Sequence, residues 1–426
     1  MTGGPSGTGG QDPEGRHIVI VGGGITGVSA AEWLRRDGWR TTIVDPILPG
    51  DPGQTSFGNA GLIARASVMP VATPALARKA PMMVLDPASP LYLRWRYLPR
   101  LLPWLAPFLR NATPARIRAI AGPLSQLTFD ANDQHLALAR GTGAERFFCR
   151  GDYVSLFATR ADYEADTLGH EIRRRFDLEP EPLDRAQLIA RDPHLGPHYT
   201  FGTLMRDFTW LGSPGGYVAA LFDHYRRQGG GYRQGRVVAI RPGRAPEVTL
   251  EGGAVIGAAR VVLAAGAWSA RLSGGLGLRM RLEAERGYHV MMQAPSFTAP
   301  HPYMVTDSKF VLTPMDGALR AAGVVEFAGL DGPEDPAPPA FIARAMRQVY
   351  PDLAFETATT WMGRRPTTPD SLPALGETTA APGVLHAYGG QHVGLTIGPK
   401  LGRLVADLAA GRRPNIDLAP YRPDRF

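Results

Sequence analysis

The hydrophobic pattern is clearest near the start of the chain. Residues 17–21 (HIVIV) form a run of β-branched apolar residues, which predicts a buried strand. After a glycine cluster, residues 25–37 place apolar side chains at the spacing of a helix, and Gly38 predicts its end. Residues 41–45 (TTIVD) predict a second strand. A strand, a glycine turn, a helix and a strand within about 30 residues are typical of the βαβ unit that opens a nucleotide-binding domain.

The rest of the chain alternates between helical and strand patterns. Further elements are predicted as helices at 115–140, 162–176, 215–228, 340–350 and 394–410, and as strands at 232–240, 247–250, 260–264 and 355–362. Residues 279–325 alternate polar and apolar positions over long stretches. This alternation predicts an antiparallel sheet with one face on a core and the other facing a site.

Residues 91–110 (LYLRWRYLPRLLPWLAPFLR) mix aromatic side chains with arginines and prolines. Prolines at 99, 103 and 107 argue against one regular helix, and the four arginines argue against a bilayer-spanning segment. Two interpretations stay open. The segment packs over a second domain, or its basic, aromatic surface rests on a membrane.

Composition excludes several classes of protein. The chain has 426 residues, of which 44% are hydrophobic, enough for a large core and two domains. Its net charge of +7 comes from scattered arginines, so we expect no nucleic-acid partner. One cysteine, Cys149, excludes intramolecular disulfides and multi-cysteine metal sites, and no metal is expected. Residues 1–15 lack the features of a signal peptide, which predicts a cytoplasmic protein with a disordered leader over 1–15.

The glycines of residues 22–27 form G-x-G-x-x-G between the first strand and the first helix. Such glycines allow a tight turn, close approach of the backbone to a pyrophosphate and close packing of helix on strand. The start of the helix offers unpaired N–H groups to phosphates, and an acid at the end of the next strand can bind ribose hydroxyls. The alternative is a tight turn of another α/β fold. The candidate dinucleotide-binding residues are Gly22, Gly24, Ile25, Thr26, Gly27 and Asp45.

Two later segments also bring backbone close to a ligand. RVVLAAGAWS at 260–269 is a strand that runs into small residues and ends at Gly266. GGQHVGLTIGPKLGRLVADLAAG at 389–411 again places glycines before a helix. Three such elements, far apart in sequence, imply one extended cofactor.

Five motifs in order resemble the FAD-dependent D-amino-acid dehydrogenases, within the superfamily of D-amino-acid oxidase, glycine oxidase and sarcosine oxidase. They are GGGITGVSAAEWL, TSFGNAG at 55–61, RVVLAAGAWS, GRRPTTPDSLPALG at 363–376 and the terminal glycine-rich helix. The resemblance implies an α/β fold with a doubly wound Rossmann-like FAD-binding domain and a substrate domain with a mixed or antiparallel sheet. We assign 16–70, 205–278 and 360–426 to the FAD-binding domain, and 71–204 and 279–359 to the substrate domain.

The resemblance also implies which residues hold FAD. The loop that wraps the flavin and pyrophosphate matches Ser56, Asn59, Ala60 and Gly61, and the strand that meets the adenine matches Val237. The strand end beside the cofactor matches Gly266 and Trp268. The helix start that faces the pyrimidine side of the isoalloxazine matches Gly394, Leu395 and Thr396. Gly363 stands where the sarcosine-oxidase branch carries the cysteine that is linked to its flavin, which implies non-covalent FAD.

The substrate residues implied by the resemblance are Arg365 and Tyr288. Arg365 matches the arginine that binds the substrate carboxylate, a task suited to a planar charged fork, although Arg364 lies beside it. Tyr288 matches a tyrosine that helps to hold the carboxylate. Strand alternation points Tyr288 and His289 to opposite faces, and we predict that Tyr288 reaches the substrate. His392 either lines the pocket or bonds a carbonyl.

The function implied is oxidative deamination of D-amino acids by hydride transfer from the α-carbon to the flavin, with small or cyclic substrates such as D-proline and D-hydroxyproline. The electron acceptor is a quinone, a carrier protein or oxygen. With a quinone, residues 91–110 would bring the protein to the inner face of a membrane. Two alternatives stay open: a glycine- or sarcosine-type amine oxidase, and a non-catalytic flavin-binding subunit for electron transfer. Arg365 argues against the second.

Overall fold

Two large sheets organise the chain, which a computed structural model describes over residues 16–86 and 89–426. The predicted leader at 1–15 lies outside the described residues. The strands are β1 (His17–Val21), β2 (Arg40–Asp45), β3 (Leu91–Leu93), β4 (Phe148–Phe157), β5 (Glu181–Asp184), β6 (Phe201–Leu211), β7 (Gly231–Gln234), β8 (Val237–Arg241), β9 (Glu247–Leu250), β10 (Val255–Gly257), β11 (Arg260–Leu263), β12 (Glu283–Gln293), β13 (Tyr303–Val305), β14 (Phe310–Met315), β15 (Ala318–Phe327), β16 (Thr357–Thr367), β17 (Ala374–Thr378) and β18 (Ala381–Tyr388).

Helices fill the connections between these strands. They are α1 (Ile25–Arg36), α2 (Pro74–Met83), α3 (Leu98–Asn111), α4 (Pro114–Thr128), α5 (Ala131–Ala139), α6 (Arg160–Glu164), α7 (Thr167–Arg175), α8 (Arg185–Arg191), α9 (Pro214–Arg227), α10 (Ser269–Gly275), α11 (Ala337–Val349) and α12 (Gly394–Ala409). The predicted helix at 115–140 is observed as two helices, α4 and α5, and the predicted strand at 232–240 as β7 and β8.

The first sheet has the strand order β17-β18-β11-β1-β2-β7, in which only the edge strand β17 runs antiparallel. Alternate residues of β1 face opposite sides, so Ile18 packs against α1 and α12 while Val19 packs towards the small sheet β8–β10. Layers on both faces of a mostly parallel sheet confirm the predicted doubly wound domain.

Helices α1 and α12 cross closely because small residues meet at their contact. A Cβ atom added at Gly402 would lie 2.6 Å from the backbone nitrogen of Ala30, and one added at Gly398 would lie 2.9 Å from the Ile25 side chain. The crossing therefore leaves no room for larger residues. It brings the N-terminal end of α12 beside the N-terminal end of α1.

The second sheet has nine strands in the order β16-β12-β15-β14-β13-β4-β6-β5, with β3 also paired to β15. Strands β12, β14, β15 and β16 pair antiparallel, as residues 279–325 predict. The predicted domain boundaries at 205 and 360 fall inside β6 and β16 of this sheet. Helices α4 and α5, placed by prediction with the substrate domain, pack on α12 of the first sheet.

Residues 91–110 contain a short strand, a 3-10 turn and α3, so they do not form one regular helix, although α3 itself continues through Pro103 and Pro107. Proline has no backbone N–H, so Pro107 cannot donate the helical hydrogen bond to the Pro103 carbonyl. That carbonyl instead accepts a hydrogen bond from the Arg281 side chain at 2.9 Å. Trp104 is buried and donates to the Thr367 carbonyl at 2.9 Å. The segment thus packs on the nine-stranded sheet, and the membrane contact stays a hypothesis. None of the helices in the described ranges is long and apolar enough to cross a bilayer.

His386 on β18 is a buried titratable group whose two ring nitrogens have no hydrogen-bond partner among residues 16–86 and 89–426. Burial lowers the pKa of His386 from 6.5 to about 4. Because the folded pKa lies below the unfolded pKa, the unfolded chain binds the proton first as the pH falls. His386 therefore removes stability progressively below about pH 6.5.

We expect His386→Phe to remove this part of the acid sensitivity. The loss of unfolding free energy between pH 7.5 and pH 5 should shrink by about 2 kcal/mol relative to the parent protein. Urea unfolding of both proteins at the two pH values measures the difference. An unchanged pH dependence in the variant would assign the acid sensitivity to other groups.

Candidate active site

The candidate site is a crevice at the carboxyl ends of the parallel strands in the first sheet. The chain leaves β1 at residues 22–24, β2 at Asp45, β11 at 264–266 and β18 at 389–390. Ligands of open α/β sheets bind at this edge because the loops and helix N-termini converge there. The structure thus brings together the three segments that the sequence predicts to share one cofactor.

The glycine turn after β1 is too tight for side chains. Gly22 has φ +109°, and a Cβ atom added to Gly27 would lie 1.9 Å from the Gly22 carbonyl oxygen. Gly24 caps α1 with backbone only, and the first turn of α1, including Ile25 and the partly exposed Thr26, carries no acidic residue. A helix N-terminus with no acidic residue in its first turn suits a phosphate group.

Asp45 both closes this turn and borders the crevice. Its carboxylate accepts hydrogen bonds from the Gly23 N–H at 2.6 Å and the Ile47 N–H at 3.0 Å. Burial raises the pKa of Asp45, and the two backbone bonds oppose that rise. The predicted ribose-binding acid is therefore also part of the framework of the turn.

The loop at 55–61 forms hydrogen bonds both to α1 and to the nine-stranded sheet. The Ser56 hydroxyl accepts from the Ile25 N–H at 3.0 Å, and the Thr55 hydroxyl donates to the Arg364 carbonyl at 3.0 Å. Asn59 accepts from the Gly61 N–H through its side chain, and Ala60 between them is half-buried. The loop therefore lines the crevice where the two sheets meet.

Arg320 holds this loop from the nine-stranded sheet. It is 3% exposed and donates to the carbonyls of Phe57 at 2.9 Å and Asn59 at 2.6 Å. Within the described ranges it forms no ion pair, and its Nε atom has no partner. Burial lowers the pKa of Arg320 to about 10, which still leaves it charged at neutral pH. This buried cation was not predicted from the sequence.

Two other predicted elements border the crevice with backbone. Gly266 has φ +54°, and a Cβ atom on it would meet nothing within 4 Å. The ring of Trp268, two residues further on, lies 5.7 Å from the Arg364 guanidinium. Val237 starts β8 and packs beside the first sheet. Open space at a left-handed glycine lets backbone approach a ligand closely.

The N-terminus of α12 meets the loop at 55–61. Gly394 also has open space at its missing Cβ, and the helix has neither a side-chain cap nor an acid in its first turn. The Thr396 hydroxyl accepts from the Ala64 N–H at 3.1 Å and donates to the Leu62 carbonyl at 3.2 Å. The Leu395 carbonyl lies 3.0 Å from a ring nitrogen of buried His135. These bonds fix the positive helix end at the crevice.

Strands β12 and β16 form the wall of the crevice on the side of the nine-stranded sheet. Three neighbouring pairs share the face of the two strands that forms the wall. They are Glu285 with Arg365, Gly287 with Gly363, and His289 with Trp361. The intervening residues of both strands point to the other face.

Arg365 lies flat on this wall. Its guanidinium donates to the Glu285 carboxylate at 2.9 Å and to the carbonyls of Val324 and Gly323 at 3.2 and 3.3 Å. A Cβ atom at Gly287 would lie 2.3 Å from the guanidinium, so only glycine leaves room for it. The side chain as a whole remains 20% exposed.

Arg364, the neighbouring arginine, points the other way. Its Nε donates to the Leu330 carbonyl at 2.6 Å, and its guanidinium lies over the Trp268 ring. Arg364 therefore lies on the face of β16 opposite Arg365 and Glu285, and the binding of the substrate carboxylate by Arg365 stays a prediction.

Tyr288 does not lie on this wall, and the predicted orientation of β12 at this point is wrong. The Tyr288 hydroxyl donates to the Glu326 carboxylate, and its ring is buried in the core that includes α11. His289 faces the crevice loop instead: its Nδ1 lies 3.1 Å from the Gly58 carbonyl oxygen and its ring stacks on Trp361 at 5.0 Å. Burial lowers the pKa of His289 to about 3, so the ring is neutral.

His392 comes just before α12 and faces Glu285 and Arg365. Its side chain is exposed although protein surrounds it, as expected for a residue inside a crevice. Burial lowers the pKa of His392 to about 4, so it is uncharged near neutral pH. Over residues 16–86 and 89–426 its ring bonds no carbonyl, which favours the pocket-lining role.

Comparison with known proteins agrees with this architecture. The family described as DAO, FAD dependent oxidoreductase, matches residues 17–408. The chain belongs to this family. A D-amino-acid oxidase of Bradyrhizobium diazoefficiens is 36% identical over 97% of this chain and 100% of its own length. A D-amino acid dehydrogenase of Phenylobacterium zucineum is 29% identical over 95% of this chain and 96% of its own.

Solved structures of similar fold cover nearly the whole chain. Glycine oxidase from Geobacillus kaustophilus has a TM-score of 0.71 at 22% identity, over 96% of this chain and 99% of that chain. Iminodiacetate oxidase from Chelativorans sp. BNC1 has a TM-score of 0.72 at 20% identity, over 95% and 98%. At these identities the likeness shows the shared fold alone.

The crevice of this DAO-family protein fits FAD, the cofactor of the family. Two helix N-termini have no acidic residue in their first turn, and at Gly266 and Gly394 a side chain would enter open space. A Cβ atom at Gly363 would lie 2.0 Å from the Trp361 ring, so a cysteine has no room there, and Cys149 lies on β4 beside Gly212. These observations support non-covalent FAD, and the roles of the individual cofactor residues stay predictions.

Four residues of the site were not predicted from the sequence, or were predicted to lie on the other face: Glu285, His289, Arg320 and Trp361. All four lie in strands, where neighbouring polar and apolar residues alternate and polar positions ordinarily face solvent. The sequence around Arg320, in the middle of β15, does not show whether its charged side chain is buried or exposed. Only pairing with distant segments reveals which of these side chains face the crevice.

Proposed function

We propose that this DAO-family oxidoreductase converts D-amino acids to imino acids, which hydrolyse to 2-oxo acids. The observation that carries the proposal is the partly exposed Arg365 side chain on the crevice wall, next to the cradle that fits FAD. A planar cation binds a carboxylate bidentately. The names of the relatives, D-amino-acid oxidase and D-amino acid dehydrogenase, support amino acids of the D series.

The chain's own residues position the substrate. Arg365 binds the substrate carboxylate, while Glu285 and two carbonyls keep the guanidinium flat. Uncharged His392 lines the crevice without adding a competing charge. Bound FAD supplies the acceptor for the hydride from the α-carbon. Fixed orientation of the α-carbon accounts for most of the catalysis, because it replaces a bimolecular encounter by a preset geometry.

We propose small or cyclic substrates, such as D-proline and D-hydroxyproline. The stacked rings of His289 and Trp361 support this choice, since they limit the space on the wall. The Trp361 indole N–H donates to the Pro52 carbonyl at 2.6 Å, which holds the ring in place. Because relatives carry both the oxidase and the dehydrogenase name, oxygen, a quinone and a carrier protein are all candidate acceptors.

The test is anaerobic reduction of the purified yellow protein. D-proline, D-hydroxyproline, other D-amino acids, their L forms, glycine and sarcosine are mixed with it in turn while the visible flavin band is recorded. We expect D-amino acids to bleach the band and their L forms to leave it unchanged. Reoxidation by oxygen and by a soluble quinone then identifies the acceptor class.

Other outcomes point to other functions. Bleaching by glycine or sarcosine alone would assign the protein to the amine-oxidase alternative. A protein that retains FAD and is reduced by none of these compounds would instead be an electron-transfer subunit.

A further inference from the structure

A second cation lies close to Arg365 on the crevice wall. The Arg365 guanidinium donates to the carbonyls of Val324 and Gly323 on β15, and the Val324 N–H donates to the Lys309 carbonyl at 3.4 Å. Lys309 directly precedes β14, which pairs with β15. Neighbouring strands lie about 5 Å apart. Lys309 therefore begins about one strand spacing from the backbone that the Arg365 guanidinium contacts.

The Lys309 side chain belongs to the crevice side of the nine-stranded sheet. The next residue, Phe310, is 1% exposed and lies in the core between this sheet and α11. Charges that act on Lys309 come from α2 and from the residue before α7. Helix α6, just before α7, packs on the side opposite that core: its Tyr163 ring contacts the Phe157 ring at 5.3 Å, and Phe157 alternates with the core residue Leu156. Lys309 thus points away from α11, to the side that carries Arg365.

Protein surrounds the Lys309 side chain, which nevertheless remains exposed. His392 shows the same combination inside the crevice. Burial lowers the pKa of Lys309, because its surroundings disfavour an isolated positive charge. Within residues 16–86 and 89–426 the ammonium group forms no hydrogen bond and no ion pair. A bound anion would compensate this charge.

Both carboxylates near Lys309 have partners of their own. Asp307 lies 2.9 Å from the Nε2 atom of His198, and Asp166 accepts a hydrogen bond from Arg173 at 3.0 Å. The third nearby charge, on α2, is positive. In the part of the chain that the structure describes, no carboxylate is therefore committed to Lys309. A cation in a crevice without a committed counter-ion favours an anionic ligand.

An acidic amino acid carries two carboxylates at a suitable spacing. Two carbon atoms separate them in aspartate and three in glutamate, which places the carboxylate carbons about 4–5 Å apart. The α-carboxylate can bind Arg365 while the second carboxylate reaches towards Lys309. A lysine ammonium is a compact charge on a flexible four-carbon stem, so it can follow either length.

We propose that Lys309 binds the side-chain carboxylate of an acidic D-amino acid whose α-carboxylate is held by Arg365. This inference rests on the proposed function and names, among its small substrates, a class with a second carboxylate. Lys309 acts as a specificity-determining residue and takes no part in hydride transfer. Amide analogues keep the shape of these substrates but lack the second negative charge, so they leave the Lys309 charge uncompensated.

The experiment measures the second-order rate constant of anaerobic flavin reduction for two matched pairs, D-aspartate with D-asparagine and D-glutamate with D-glutamine. In the parent protein we expect the acid of at least one pair to be favoured about 100-fold over its amide. In Lys309→Met this preference should fall to about one. Methionine keeps an unbranched side chain of similar length, so it suits the left-handed backbone at this position, φ +54°, as well as lysine does.

Lys79→Met is the matched control, because it removes the same charge from the exposed face of α2. Its acid-to-amide ratio should stay within about threefold of the parent ratio. Lys309→Arg should keep part of the preference, since it restores a cation. FAD content and melting temperature of each variant show that it is folded.

Three results would overturn the proposal. The parent could be reduced equally well by acid and amide in both pairs, or Lys309→Met could keep the parent preference. Equal losses in Lys309→Met and Lys79→Met would assign the preference to the general field of this region and not to a contact with Lys309. A parent protein that no D-amino acid reduces would contradict the proposed function instead, so the two failures are distinguishable.

Discussion

Arg365→Lys is expected to lower kcat/KM for D-amino acids about 1000-fold, or about 4 kcal/mol of transition-state stabilisation. Lysine keeps a positive charge beside buried Glu285, so the carboxylate is not left without a partner. It loses the planar fork that binds a carboxylate through two parallel bonds. The expected loss therefore reflects substrate orientation, and FAD content should stay near that of the parent. Steady-state kinetics with the best D-amino acid from the substrate panel measure the change.

Arg364→Lys is the control for this experiment. It makes the same change one position earlier, on the opposite face of β16, where the guanidinium contacts Leu330 and Trp268. Its kcat/KM should stay within about threefold of the parent. Equal losses in both variants would show that charge or strand stability, and not a carboxylate clamp at Arg365, underlies the effect.

Gly27→Ala is expected to abolish FAD retention. The added Cβ atom would lie 1.9 Å from the Gly22 carbonyl oxygen and 2.9 Å from its carbon, both of which are backbone atoms in the turn itself. Neither can move without opening the turn that presents N–H groups to the pyrophosphate. We expect a loss of at least about 3 kcal/mol in unfolding free energy of the apoprotein. Gel filtration followed by the ratio of flavin to protein absorbance measures retention, and urea unfolding measures stability.

Gly122→Ala is the matched control within α4. A Cβ atom there would meet nothing within 4 Å, and the residue has no left-handed backbone. Alanine should stabilise the helix by about 0.5–1 kcal/mol and leave FAD retention unchanged. If Gly27→Ala kept its FAD and its stability, the turn would be looser than the structure shows and the predicted pyrophosphate site would be in doubt.

The local elements of the first sheet could be predicted because their determinants lie close together in sequence. The bounds predicted for β1 are those observed, and α1 and β2 agree within one residue at each end. Apolar periodicity and glycine position depend on neighbours a few residues away. The same holds for α12 and for β11, so the three cofactor-binding segments could be found without knowing how they meet.

The limits of the local pattern appear in α3 and β16. Prolines predict a broken helix at 91–110, yet a carbonyl freed by Pro107 is satisfied by Arg281, which is 178 residues from Pro103. β16 was predicted over 355–362 and extends to Thr367 because eleven residues pair with β12. Bonds to distant segments supply what the local sequence lacks.

The sequence by itself determined the family and the cofactor, and it predicted three segments that hold the cofactor. The substrate role of Arg365 could also be predicted, because the motif around it is continuous. Only the tertiary structure decided which face of β12 meets the crevice, and hence that His289 lies there and Tyr288 does not. Strand alternation determines that Tyr288 and His289 point to opposite faces of β12. The packing of α11 on one of these faces determines which of them belongs to the core. The pairing of Arg365 with Glu285, 80 residues apart, depends on strand register, which no local pattern encodes.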